Sequence, residues 1–167
     1  MRHVLPLALL TLGTALTSCS GGNGGNGGAG SEAAAPEADD GAVCLSAGRG
    51  DTYTAGLEKP GTAGQLRFKL MTAAPAPPQR YLNEWTLQVT SMKDGSPATG
   101  ATLTVTPWMP DHQHGAGAYT PKVQEMTNGQ YDVKEINTWM PGYWEITVDA
   151  TKGAVHDTAV YKFCISA

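Results

Sequence analysis

The sequence predicts an all-β fold, an immunoglobulin-like β-sandwich, for residues 41–167. Three observations carry that reading: a period-two alternation of apolar and polar residues that keeps returning, turn chemistry between the alternating runs, and a cysteine near each end of the segment.

The alternation is read directly from the residues. Leu66, Phe68 and Leu70 alternate with Arg67 and Lys69, and Trp85, Leu87 and Val89 with Thr86, Gln88 and Thr90. Ala101, Leu103 and Val105 alternate with Thr102, Thr104 and Thr106; Tyr131 and Val133 flank Asp132; Trp144, Ile146 and Val148 alternate with Glu145, Thr147 and Asp149. The last run, Ala159 to Ile165, is β-rich with weaker alternation. Such spacing places one set of side chains on each face of a strand, and threonines and aromatics suit a half-buried pleated surface. Asp94-Gly95, Gly100 and Lys152-Gly153 punctuate the runs, and Asn128-Gly129 is the strongest short hairpin signal in the chain. No stretch has a sustained helical stripe with caps. Ala74-Pro75-Ala76-Pro77-Pro78 lacks the amide donors of a central strand, so it is expected to be an extended crossing between two parts of the sandwich.

Ahead of the sandwich lie two segments of different composition. Arg2 and His3 precede an apolar run, Val4 to Leu12, too short to span a bilayer, so residues 1–18 read as a signal peptide. Leu16-Thr17-Ser18-Cys19 resembles a lipobox, a signal cut before a cysteine that then carries lipid. A plain secretory signal ending near Ser18 is the alternative. Several acyl chains on Cys19 would make a stable anchor, each buried methylene adding roughly 0.8 kcal/mol. Residues 19–40 form the expected linker, Gly/Ser/Asn-rich to Gly30 and Ala/Pro/acid-rich from Glu32 to Asp40, too poor in apolar surface to offset its ordering entropy. The chain therefore reads as a lipoprotein anchored to a membrane and facing the periplasm or exterior. Ser20 after the anchor, where inner-membrane retention goes with Asp, favours the outer membrane.

Composition excludes some classes of function. The chain carries 16% charged residues, a formal net charge of -4 and no cluster of Lys and Arg, which argues against nucleic acid. No nucleophile elbow, phosphate loop or paired-carboxylate pattern is present, and Asp111 beside two histidines has no Ser or Cys nucleophile to serve, so no enzyme is expected. Arg49-Gly50-Asp51 spells an adhesion tripeptide that a bacterial loop acquires by chance.

With Cys19 assigned to lipid, Cys44 and Cys164 remain, and an exported protein favours a disulfide between them. Two free thiols or a pair of soft metal ligands are the competing readings. A bridge closing so long a loop would contribute on the order of 4 kcal/mol in the chain-entropy account.

Chemistry concentrates in Pro107-Trp108-Met109-Pro110-Asp111-His112-Gln113-His114-Gly115. Pro110 suits the second position of a tight turn, which would bring Met109 and His112 within about 7 Å at Cα. An extended chain beyond it would project His112 and His114 to one side, also about 7 Å apart. Thioether selects Cu(I) and imidazole suits copper or zinc, so these donors point to a metal site. A fourth donor has to come from elsewhere: Met140, on the turn Trp139-Met140-Pro141-Gly142, is the first candidate, with Met126 and His156 behind it. The alternative makes Met109 and Met140 caps of the sandwich core and leaves the histidines solvated. Trp108, Trp139 and Trp144 read as core and rim aromatics.

Asn83-Glu84-Trp85-Thr86-Leu87-Gln88-Val89, Asp94 to Ala101, Met109 to Gly115, Gly129-Gln130-Tyr131 and Met140-Pro141-Gly142-Tyr143-Trp144-Glu145-Ile146, in that order, resemble YtkA-like domains. The resemblance covers about Asn83 to Asp149. It implies an extracytoplasmic β-sandwich with a role in copper handling, similar in outline to FixH-type proteins linked to cytochrome oxidase assembly. The family loop usually reads His-Gly-His; Gln113 stands here in place of the glycine. Together these readings give an expected copper ion held by Met109, His112, His114 and Met140, and a copper-dependent envelope partner such as an oxidase subunit. The alternative is a metal-free module whose loop docks an envelope or respiratory protein.

Overall fold

The computed structural model describes residues 39–167. The signal peptide, Cys19 and the linker up to residue 38 lie outside the described residues. Among the described residues, nine strands form two antiparallel sheets. The first has the order β1 (Leu57–Pro60), β2 (Leu66–Ala74), β3 (Tyr81–Ser91), β7 (Gln130–Thr138), β6 (Lys122–Glu125). The second has the order β5 (His114–Gly115), β4 (Thr102–Met109), β8 (Gly142–Lys152), β9 (Val155–Ile165). The chain changes sheet three times, from β3 to β4, from β5 to β6 and from β7 to β8.

The alternating runs become the inner faces. Phe68, Leu70, Trp85, Leu87, Val89, Tyr131 and Val133 of one sheet meet Leu103, Val105, Trp144, Ile146, Val148, Tyr161 and Phe163 of the other in one buried cluster. Trp85 stands edge-on to Tyr161 and Phe163, ring centroids 5.6 and 5.8 Å away, an arrangement that satisfies the ring quadrupoles while filling the space between sheets. Asn128 and Gly129 sit at φ 59° and 70°, the left-handed pair that a two-residue turn needs to match strand twist, and they join β6 to β7.

Two expectations change. Pro75 to Pro78 does not cross between sheets: β2 and β3 pair directly, Ala74 opposite Glu84, so the prolines occupy a hairpin end within one sheet. Buried Asn83 accepts the Gln79 amide and donates to the carbonyls of Gln79 and Tyr81, binding that loop back onto β3. A helix, α1 (Asp40–Ser46), also appears where none is expected. Seven residues are too few for a periodic stripe and too few to be stable alone. Asp39 caps it by accepting the Gly41 amide, taking two residues that composition groups with the linker. Cys44 then joins it to β9 through a disulfide with Cys164, 120 residues away, at a Cα separation of 5.6 Å.

Candidate metal-binding loop

The Met/His segment is the hairpin between β4 and β5, at one end of the sandwich. The His112 amide donates to the Met109 carbonyl at 3.3 Å, so Pro110 opens the tight turn the sequence predicts. Beyond the turn the chain is not extended. Gln113 adopts φ 55°, the left-handed region, which glycine enters without penalty and a side chain enters at a cost of about 1 kcal/mol. That kink returns the chain to β4, with Met109 opposite His114 and Trp108 opposite Gly115.

Strand geometry then sets the directions. In β4 the inward positions end at Met109, which is fully buried, while Trp108 faces outward. Residues directly opposite on an antiparallel pair share a face, so His114 projects beside Met109. Its imidazole stacks on Trp139 at 4.9 Å with an interplanar angle of 26°, and stands edge-on to Trp144 at 5.8 Å. His112 lies next to it, ring centroids 6.0 Å apart.

Hydrogen bonds assign the nitrogens. His114 Nδ1 faces the Gly115 carbonyl at 3.1 Å. A carbonyl only accepts, so Nδ1 carries the proton, and neutral His114 keeps its lone pair on Nε2. That Nε2 is buried and has no hydrogen-bond partner. His112 Nε2 faces an Asp40 carboxylate oxygen at 3.0 Å, which leaves Nδ1 as the lone-pair nitrogen of neutral His112. The loop therefore carries three candidate donor atoms: Met109 sulfur, His112 Nδ1 and His114 Nε2.

Met140 lies on the neighbouring turn. Its side chain packs half-buried against the core, and its carbonyl accepts the Trp144 indole N–H at 2.8 Å. Two residues on, Gly142 adopts φ 128°, and a Cβ there would fall 2.3 Å from the Met109 terminal methyl, so the glycine of the Met-Pro-Gly turn makes room for Met109. Met126, after β6, and His156, near the start of β9 and 3.6 Å from Asp149, lie at the far end of their strands and do not join the loop. Among the described residues, no three His, Cys, Asp or Glu side chains are grouped to hold a metal ion, so a metal at this loop would need thioether sulfur.

Residues far away in sequence hold the loop. Arg49 donates to both carboxylate oxygens of Asp111, at 2.5 and 2.9 Å, and lies 4.1 Å over the Tyr143 ring. The guanidinium keeps the Asp111 carboxyl below its usual range, chiefly by that hydrogen bond. Asp51 pairs with Lys59 and accepts the Lys162 amide at 2.8 Å, so the Arg-Gly-Asp tripeptide is used within the fold. The Asn137 side chain donates to the Ala116 carbonyl at 3.1 Å, and the Trp139 indole to Gly115 at 3.3 Å, fixing the chain just after His114. Sequence reading finds none of the roles of Asp40, Arg49 and Asn137, and sees Trp139 only as a rim aromatic; these residues meet the loop only once the sheets close.

A disulfide-clamped, two-sheet β-domain with a Met/His hairpin at one end is the class that fold and loop define. The chain belongs to the YtkA-like family, whose model matches residues 62–149, and that family is extracytoplasmic. Neither the curated proteins nor the solved structures contain a match. The match thus spans β2 to most of β8, including both turns of the candidate site, and leaves α1, β1 and β9 outside it. No helix among the described residues is long and apolar enough to cross a membrane.

Proposed function

We propose that this protein binds copper at the Met109–His114 hairpin and acts in the envelope as a copper-handling lipoprotein without catalytic activity of its own. The observation that carries this reading is the buried His114 Nε2: it has a lone pair and no protein partner, on the residue that pairs with buried Met109 across the hairpin. Buried polar atoms are nearly always satisfied, and an orphan with metal-ligand chemistry is best explained by a ligand that comes and goes. Met109, His112 and His114 would hold the ion, with Met140 as the nearest further sulfur. Copper bound there would supply a soft cation for transfer to an acceptor such as an oxidase subunit. Thioether and imidazole together suit Cu(I), and imidazole supports Cu(II).

Titrating the purified full chain with Cu(I) and Cu(II) tests the reading. The His112→Ala/His114→Ala double variant is expected to lose Cu(II) binding. Met109→Leu/Met140→Leu is expected to lower Cu(I) affinity far more than Cu(II) affinity, while costing less than about 1.5 kcal/mol of stability because volume is kept. Unchanged copper binding in both variants would overturn it. A second reading, a metal-free docking module, draws on the exposed indoles of Trp108 and Trp139 beside the loop; it predicts partner binding that survives chelation. The lipid anchor is tested by fatty-acid labelling, which Cys19→Ala should abolish.

A further inference from the structure

We infer that Asp40, on the helix outside the family-matched segment, is a positioning residue of the metal site: it fixes His112 as the Nε2–H tautomer and so presents Nδ1 to the ion. The inference rests on the copper reading above and adds the device that selects the donor atom.

The carboxylate reaches His112 because three features bring α1 to the loop. First, Cys44 joins α1 to β9, the outer neighbour of β8 in the four-stranded sheet. Second, Gly41 lies flush on the end of β9: a Cβ there would fall 2.1 Å from the Ile165 carbonyl oxygen, so any side chain would push the helix away. Third, Gly142 opens the floor beneath. A Cβ at that glycine would lie 3.3 Å from Asp40 Cβ and 4.0 Å from Met109 sulfur, so the Asp40 stem and the thioether flank one point of β8. Gly41 lets the helix seat on the end of β9, and Gly142 clears the space that Asp40 and Met109 use.

Chemistry gives the contact its meaning. A histidine that ligates a metal through one nitrogen commonly donates its other N–H to a carboxylate or carbonyl, which fixes ring orientation and raises ligand basicity. The loop has both versions: Gly115 carbonyl behind His114 and Asp40 carboxylate behind His112. The two supports act on opposite nitrogens, Nδ1 of one ring and Nε2 of the other, so neighbouring rings present unlike donor atoms. Asp40 also brings a negative charge next to a site whose three donors are neutral.

The test uses the purified full chain and copper alone. Asp40→Asn is expected to lower Cu(II) affinity on the order of 10–100-fold, the usual effect of losing such a support. Asp40→Glu should restore part of the loss. In a His112→Ala background the Asp40→Asn change should have no further effect, because the carboxylate acts through that ring. Imidazole nitrogen NMR of the metal-free protein should place the proton of His112 on Nε2 in wild type and lose that preference in Asp40→Asn. Wild-type binding with equal affinity in Asp40→Asn would overturn this inference and leave the copper reading standing. So would an Asp40→Asn loss that persists without His112, or a His112 tautomer unchanged by the substitution. A wild-type chain that binds no copper overturns both.

Discussion

The two ends of the sandwich differ in whether every buried polar group finds a partner: at the loop end Asn83, Asn137 and Thr138 are satisfied and His114 Nε2 is not. At the end away from the Met/His loop, Asp157 is buried, yet its carboxylate accepts four backbone amides: Ala63 at 2.7 Å, Gln65 and Leu66 at 2.8 Å, and Thr158 at 2.9 Å. Gly61 packs so closely on that carboxylate that a Cβ would fall 2.1 Å from it. Nearby, the Tyr131 hydroxyl donates to the Ala98 carbonyl and accepts the Ala101 amide, fastening the crossing from β3 to β4. At the loop end, His114 Nε2 is buried with no partner and Gln113 is held in a left-handed conformation. The unpartnered Trp85 indole nitrogen and Tyr161 hydroxyl belong to the sandwich core; the indole N–H only donates, and a phenol oxygen is not a soft-metal donor. The difference teaches where this domain is finished by its own chain and where it leaves a donor for something else.

Breaking the disulfide is the largest expected perturbation of that contrast. Replacing Cys44 and Cys164 by Ser should cost about 4 kcal/mol in urea unfolding, because a cross-link over 120 residues restricts the unfolded chain strongly. The loss should be unequal in place. Amide exchange should quicken in α1 and in Asp111 to Gly115, which α1 supports through Asp40, while the Ala63, Gln65 and Leu66 amides stay protected. Equal loosening at both ends would mean that α1 is no special support for the loop.

Removing the Asp157 carboxylate perturbs the other end. Asp157→Ala should destabilise by about 3 kcal/mol, since it orphans several amides at once, with copper binding unaltered in the protein that remains folded. Its pH dependence follows from the direction of the shift. Burial alone would raise this carboxyl, but the bonds from Leu66, Ala63, Gln65 and Thr158 hold it below its usual range. A carboxyl depressed by folding contributes stability that is complete above the unfolded value, roughly 3.9, and is lost as pH falls through the folded value. Wild type should therefore lose stability in acid more steeply than Asp157→Asn. Parallel acid curves would show that Asp157 is not the pH-sensitive fastening of that end.

Much of this was local and therefore legible. Alternation at Trp85 to Val89 or Trp144 to Val148 commits a face to the core wherever the strand pairs, and Asn128-Gly129 carries its own turn geometry. Met109 to His114 reads as a donor loop because its residues are neighbours in the chain. The sequence also places the chain in its family, since both turns that mark it lie within short motifs. What the tertiary structure decided lies in pairs separated by many residues. Asp40 meets His112 72 positions away and Arg49 meets Asp111 62 positions away, across a closed sandwich whose register no single segment encodes. Helix α1 exists for the same reason: seven residues gain too little locally, and the Asp39 cap, the disulfide, the close seat of Gly41 on β9 and the Asp40–His112 contact hold them helical. The choice of donor nitrogen on each histidine is likewise tertiary, because it depends on which oxygen the fold brings behind each ring.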